Sequence, residues 1–247
     1  MPTILETPDC IIARYAGSFP QDAAPATVDE LVSGKLHIFR RFFSPLLPAR
    51  KDAAILDIGC GYGSFLYFLQ QKGYTNTQGI DASAYRVEVG NSLGVRNIRC
   101  GDVREFLAKA RQPFKLISAI NVLDHIPTEQ VLDFLGQVRS ALAPGGRFLC
   151  QVPNLAAFFS PHFHTDFSQE SPFTAASLNR ALTLAGFSGV KVSGMNTAAH
   201  GAMNALRNLL WKGISAGLRF VRMVEGGSGN PLDSIYATLI FATCERD

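Results

Sequence analysis

The segment AAILDIGCGYGSFLYFLQQKGY, residues 53–74, restricts the fold more than any other stretch. A short apolar run too brief for a helix meets three glycines at alternate positions, and helical spacing follows at once. Such a run is expected to be a strand buried on both faces. Glycines let the backbone turn in left-handed conformations that other residues resist. A strand turning sharply into a helix opens a strand–helix–strand unit, which cannot bury its faces alone.

The neighbours it needs follow in order. TQGID reads as a strand, AYRVEVGNSL as a helix, RNIRCG as a short strand and VREFLAKAR as a helix. FKLISAINVL is a strand with its loop, TEQVLDFLGQVRSAL a helix ended by APGG, and RFLCQVP the next strand. After a pause at residues 154–173, TAASLNRALTLAGF is helical, with Thr174 or Ser177 as cap and Gly186 as stop. VKVSGM is a sixth strand, and LDSIYATLIFATCER a last one, antiparallel at the sheet's edge. The alternation predicts an α/β fold: a doubly wound, mostly parallel sheet with helices on both faces. Ahead of it, residues 1–27 read as a loose arm, and Leu31, Leu36, Phe39 and Phe43 mark a helix closed by Pro45 and Pro48.

Length and composition permit this. The 247 residues are 47% apolar and 17% charged, enough for one large core with a modest appendage. A net charge of +3 gives no reason to expect nucleic acid as a partner. Five dispersed cysteines, at 10, 60, 100, 150 and 244, suit buried thiols in a reducing compartment. No stretch approaches the roughly 20 apolar residues of a membrane span, and the N-terminus has no basic region leading into an apolar core. A cytoplasmic protein is the default expectation.

The chemistry is expected beyond the carboxyl ends of the strands, where ligands collect in such sheets. There Gly59, Cys60, Gly61 and Gly63 form the turn, with Asp57 in the strand before it. Asp81 ends the next strand, twenty residues beyond Gly61, and Asp102 follows the third. An acidic group at the position of Asp81 accepts hydrogen bonds from ribose hydroxyls. A dinucleotide-binding fingerprint requires a glycine three places after Gly61, where this chain has Ser64. Asp57 would also repel a pyrophosphate, whereas it suits a cofactor with a cationic centre and an amino group.

With ILDIGCGYGSFLYFL, GIDAS, GD and LAPGGRFLCQVPN in place, residues 50–190 resemble the class I, Rossmann-like S-adenosylmethionine-dependent methyltransferases. The resemblance implies a seven-stranded sheet with an antiparallel last strand. It implies that Gly59, Cys60, Gly61 and Gly63 approach the methionine part and ribose of S-adenosylmethionine. Asp57 would lie beneath them near the amino group, and Asp81, with Ala82, at the ribose hydroxyls. Asp102 and Val103 would border adenine, and Asn121 would close the pocket at the fourth strand. S-adenosylhomocysteine is the implied product.

The acceptor is less legible. An N/D-P-P-Y/F element is missing after the fourth strand, which argues against base or glutamine amine methylation. The run from NVLDHIPTEQ to AGF resembles a bacterial subgroup whose members modify polysaccharides and secondary metabolites. Its loop often reads D-x-T-H-E-x-x-F-T; here Gln169 takes the histidine's place. This favours transfer to a hydroxyl of a small molecule or sugar, with N- or C-methylation, or a non-catalytic cofactor-binding partner, as alternatives. Hydroxyl acceptors profit from a base, and His125, His162 and His164 are the candidates, although His125 could equally pack the following helix. His162, His164 and Asp166 alternate, but converging metal ligands are not expected.

The domain is expected to span residues 50–247, capped by 1–49, with a helical insert near 200–228. In the insert Arg207, Lys212, Arg219 and Arg222 intersperse Leu206, Leu209, Leu210, Trp211, Leu218, Phe220 and Val221. A lid, a dimer surface and an amphipathic helix on anionic membrane are open readings. The apolar residues do not keep to one narrow face, which favours ordinary packing as a cap. Monomer and homodimer remain open.

Overall fold

The computed structural model describes residues 24–110, 112–157, 168–195, 202–226 and 230–247. Seven strands form one sheet: β1 (Ile55–Ile58), β2 (Thr77–Asp81), β3 (Ile98–Cys100), β4 (Phe114–Ile120), β5 (Leu142–Pro153), β6 (Ser188–Gly194) and β7 (Leu239–Glu245). Their order is β3-β2-β1-β4-β5-β7-β6. The pairs from β3 to β5 are parallel, and β7 runs antiparallel to both β5 and β6. This is the doubly wound sheet expected, with one correction. The last strand is antiparallel but not at the edge, because β7 pairs with β5 on one side and β6 on the other and leaves β6 as the edge strand.

Every residue of β1 is buried, because helices cover both faces. Leu56 and Ile58 share a core with Leu107 of α4 (Val103–Lys109), Phe134 and Val138 of α5 (Val131–Ala141) and Leu178 of α6 (Ala175–Leu184). Ile55 points the other way, into a core with α2 (Ser64–Gln71), α3 (Ala84–Ser92) and the N-terminal helical segment. The alternation follows from the two-residue period of a strand. Asp57 therefore lies on the Ile55 face, the face that α2 and the N-terminal segment cover.

That N-terminal segment departs from a single helix. α1 (Val28–Val32) stops before Gly34, whose φ is +72°. The chain restarts at Leu36–Ile38, widens into a π-helical turn at Phe39–Phe43 and tightens into a 3-10 turn at Ser44–Leu46. The wider turn brings Phe39 and Phe43 inward together. Their ring centroids lie 5.6 Å apart, and 5.2 and 5.1 Å from that of Phe65 on α2. Burying three aromatic rings in one cluster offsets the poorer hydrogen-bond geometry.

Two strand boundaries also differ from expectation. APGG does not merely end α5: β5 starts at Leu142, and its register with β4 shifts between the Phe114–Leu142 and Leu116–Arg147 pairs. Gly146 is needed there, because a Cβ would lie 2.7 Å from the Ala143 carbonyl oxygen. β7 begins only at Leu239, since Pro231–Ser234 forms a 3-10 turn. Thr174 caps α6, and Ser177 returns the bond. Cys60, Cys150 and Cys244 are buried free thiols, but Cys100 is exposed; burial pushes the Cys150 thiol up to about 12. No described helix is long and apolar enough to cross a membrane.

The insert is one helix, α7 (Ala202–Gly226). Ordinary packing does not describe it: Leu206, Leu209, Leu210, Phe220 and Val221 are all exposed.

Candidate cofactor and acceptor site

The glycine turn is bound to the end of β2. The Gly59 and Cys60 amides donate to the Ile80 carbonyl at 2.8 and 3.1 Å. Gly59, Gly61 and Gly63 take φ of +63°, +54° and +82°. A Cβ at Gly59 would lie 2.4 Å from Cγ2 of Val122, and one at Gly63 2.6 Å from Cγ1 of Val95. Gly61 differs, because nothing lies within 4 Å of the position a Cβ would take. Two of the glycines therefore hold the turn against the protein, and the middle one faces open space.

Asp81, half-buried at the end of β2, holds that middle residue. Its Oδ2 accepts from the Gly61 amide at 2.7 Å, and its Oδ1 from the Ser83 amide at 2.9 Å. The carboxylate keeps further lone pairs for a ligand hydroxyl. Beside it Ala82 is exposed. Asp102 caps α4, its Oδ1 accepting from the Glu105 amide at 2.8 Å, and Val103 starts that helix half-buried. Cys60 is buried, and its thiol is held well above the usual range, first by burial and then by Asp57 and Asp81.

Asp57 lies under the turn, only 2% exposed. β1 and β4 pair so that it faces Ser118, whose hydroxyl donates to Asp57 Oδ1 at 2.6 Å. Burial raises its pKa to about 7; the Ser118 bond opposes the rise, the Asp81 charge adds to it, and Lys35 opposes it. Lys35 arrives from the N-terminal segment, where its Nζ donates to Ser64 Oγ at 3.1 Å, and Ser64 donates to the Leu31 carbonyl at 2.9 Å. The cap is thus fastened to the first residue of α2.

Asn121 follows β4 with φ of +54°, strained for a residue other than glycine. Its amide donates to the Gln151 carbonyl at 2.9 Å, and its Oδ1 accepts from Gln151 Nε2 at 3.0 Å. The turn, Asp81, Asp102 and Asn121 all follow carboxyl ends of neighbouring strands, so one rim gathers them.

Farther along this rim, the segment after β4 is tied to residues 168–171. The Glu170 and Ser171 amides donate to the Asp124 carbonyl at 2.8 and 3.0 Å, and Ser171 Oγ donates to the Ile126 carbonyl at 2.6 Å. His125 sits within this junction. Its Nδ1 lies 2.9 Å from Ser168 Oγ, and its Nε2 3.6 Å from Asp124 Oδ2. Gln169 follows Ser168, and its Oε1 is buried with no hydrogen-bond partner among the described residues. His162 and His164 lie outside the described residues. Among the described residues no group of three or more His, Cys, Asp or Glu converges to hold a metal.

Ser118, Val122, Val95 and Lys35 were not legible as parts of this site. Each meets its partner only through sheet register or packing, as the separation of 61 positions between Asp57 and Ser118 illustrates. Gly90 is similar: a Cβ there would lie 2.6 Å from the Tyr62 carbonyl oxygen of the turn.

A family profile described as a methyltransferase domain matches residues 35–192. The sphingolipid C9-methyltransferase of Candida albicans is 27% identical over 140 residues, 52% of this chain and 26% of that protein. The ubiquinone biosynthesis O-methyltransferase of Coxiella burnetii is 28% identical over 109 residues, 42% of this chain and 45% of that protein. The chain thus spans between a quarter and a half of these curated relatives' lengths. A crystal structure of a SAM-dependent methyltransferase from Archaeoglobus fulgidus superposes with a TM-score of 0.63 at 16% identity, covering 85% of this chain and 91% of that one.

Proposed function

The chain belongs to the methyltransferase-domain family, with the class I, Rossmann-like fold, and on that premise we propose that it methylates a hydroxyl of a small molecule or sugar. S-adenosylmethionine is the cofactor and S-adenosylhomocysteine its product. When bound, the cofactor supplies an electrophilic methyl group on a sulfonium. The residues present fit it: Gly61 faces open space, the Asp81 carboxylate is at the end of β2, and the Asp57 carboxyl is buried beneath the turn. The single observation that carries this reading is the Asp81–Gly61 bond, which joins the carboxylate at the end of β2 to the glycine turn.

In this reading Gly59, Cys60, Gly61 and Gly63 hold the methionine part and ribose by close backbone approach. Asp81 binds the ribose hydroxyls beside Ala82, Asp102 and Val103 border adenine, and Asn121 closes the pocket. Asp57 meets the amino group. A cation there favours the ionised carboxylate that burial otherwise disfavours. Residues 50–247 act as the transferase domain and 1–49 as its cap, fastened through Lys35.

The protein's remaining task is to position an acceptor and take its proton. His125, His162 and His164 are the proposed bases. Ser168 orients the His125 ring, and the Asp124 carboxylate offsets positive charge on a protonated ring. The buried Gln169 Oε1 offers an acceptor to a donor on the substrate. A hydroxyl acceptor agrees with the O-methyltransferase among the relatives, and carbon methylation with the sphingolipid enzyme is the alternative. Calorimetry with S-adenosylmethionine and S-adenosylhomocysteine tests the premise: micromolar to millimolar affinity is expected, and none for either would sink it. Labelled-methyl transfer to panels of hydroxyl, amine and carbon acceptors then separates the readings.

A further inference from the structure

Among its described side chains, α7 touches the rest of the protein along one narrow stripe. Ser215 is buried, Trp211 and Leu218 are half-buried, and Arg222 pairs with Asp233 at 3.4 Å. These four positions follow the i, i+4, i+7, i+11 spacing of one helix face. The opposite side carries Leu206, Leu209, Leu210, Phe220, Val221 and Val224, all exposed; Leu209, Phe220 and Val224 are 65%, 63% and 71% exposed.

At about 100° per residue these side chains lie within one half of the helix circumference, a half that contains no charged residue. Lys212 and Arg219 border it on one side, and Arg207 and Glu225 on the other. Glu225 is the only acidic residue in the helix. With 25 residues the helix is about 37 Å long. The exposed apolar side chains run from Leu206 to Val224, about 27 Å of helix, along an uncharged half with mainly basic borders, the pattern of an interaction surface.

We propose that α7 lies flat on an anionic lipid surface, with its apolar half in the acyl boundary and Arg207, Lys212 and Arg219 against the headgroups. The charge pattern and the width of the apolar arc favour this occupant. A pair of helices buries a narrow seam and would leave much of such an arc wet, whereas a lipid interface covers all of it. Three of the four border charges are basic and match negative headgroups, and an antiparallel two-fold pair would set Lys212 and Arg219 against their own copies along one edge.

Topology gives the contact a consequence. β6 runs parallel to β5, since both are antiparallel to β7. The connection carrying α7 therefore leaves from the carboxyl ends of the strands, the rim where Gly61, Asp81 and Asn121 lie. A helix held on the lipid keeps that end of the connection near the surface, within reach of an amphiphilic acceptor. This last step rests on the proposed transferase function; the docking itself does not.

Flotation of the full chain with phosphatidylcholine vesicles, with or without about 30 mol% phosphatidylglycerol, tests the docking. Binding to the anionic vesicles is expected to be at least about tenfold stronger and to weaken with salt. Leu210→Glu with Val221→Glu should remove it, and Lys212→Glu with Arg219→Glu should reduce it by about fivefold or more per residue. Far-ultraviolet circular dichroism should show both variants folded. Equal binding to both vesicle types, or undiminished binding by the Leu210→Glu/Val221→Glu variant, would overturn the proposal. So would a dimer in sedimentation velocity that this variant dissociates, in a chain that ignores vesicles: a second copy would then cover the arc.

Discussion

The Ser118 hydroxyl on β4 donates to the Asp57 carboxylate on β1 at 2.6 Å, inside the sheet and beneath the glycine turn. A buried carboxylate with one such donor is costly to ionise alone, a cost that the cofactor ammonium proposed to lie beside it would remove. Ser118→Ala should therefore weaken S-adenosylmethionine binding by roughly 10- to 100-fold, the worth of a hydrogen bond to a charged group. Calorimetry reads the affinity, and an unchanged melting temperature shows the sheet intact.

The same carboxyl predicts a pH dependence. Its pKa in the folded protein, about 7, lies above the ordinary 3.8. Its contribution to stability is complete below about 3.8 and is lost as pH rises toward 7, because the unfolded chain ionises more readily. Asp57→Asn should flatten the fall in apo-protein stability across that window, which urea unfolding at several pH values measures. A bound ammonium favours the ionised form, so cofactor binding below pH 7 should release a proton. Calorimetry in buffers of different ionisation enthalpy detects the release, and a buffer-independent heat would refute it.

Asp81 joins the turn to β2 through Gly61 and Ser83. Asp81→Asn keeps the shape but loses the charge and one acceptor. Cofactor affinity should fall by about tenfold or more. Faster amide exchange at Gly61 should accompany the loss, since that N–H then has a weaker partner.

Gly59→Ala meets two obstacles, a left-handed backbone and Val122. The first costs roughly 1–2 kcal/mol, and the clash adds roughly 1–3 kcal/mol. Val122→Ala in the same chain should recover only the clash. Chemical denaturation of the single and double variants gives the cycle, and full recovery would show that φ at position 59 carries no strain.

His125→Ala should lower turnover about 10²- to 10⁴-fold if this ring takes the acceptor proton, leaving cofactor affinity within about twofold. Ser168→Ala should lower it less and shift the pH profile, because the ring loses its orienting hydroxyl. Turnover unchanged in His125→Ala would leave His125 as a tie between two loops.

Much of this protein is local. The apolar run at 55–58, the alternating glycines and the helical periodicities each specify their own element, so the doubly wound sheet, the turn and Asp81 were legible in sequence. Each depends on neighbours along the chain and on a two- or 3.6-residue period. Tertiary structure decided what depends on distant partners. The β1–β4 register brought Ser118 to Asp57, and packing set Val122 and Val95 behind the glycines. The shared aromatic cluster with Phe65 accompanied the break in the N-terminal helix into α1 and a π-helical turn. α7 is the sharpest case: its apolar arc is written in the sequence, but which side of the helix meets the domain is not. Only the packing of Ser215 and the Arg222–Asp233 pair turns that arc outward, and so makes a surface of what looked like a cap.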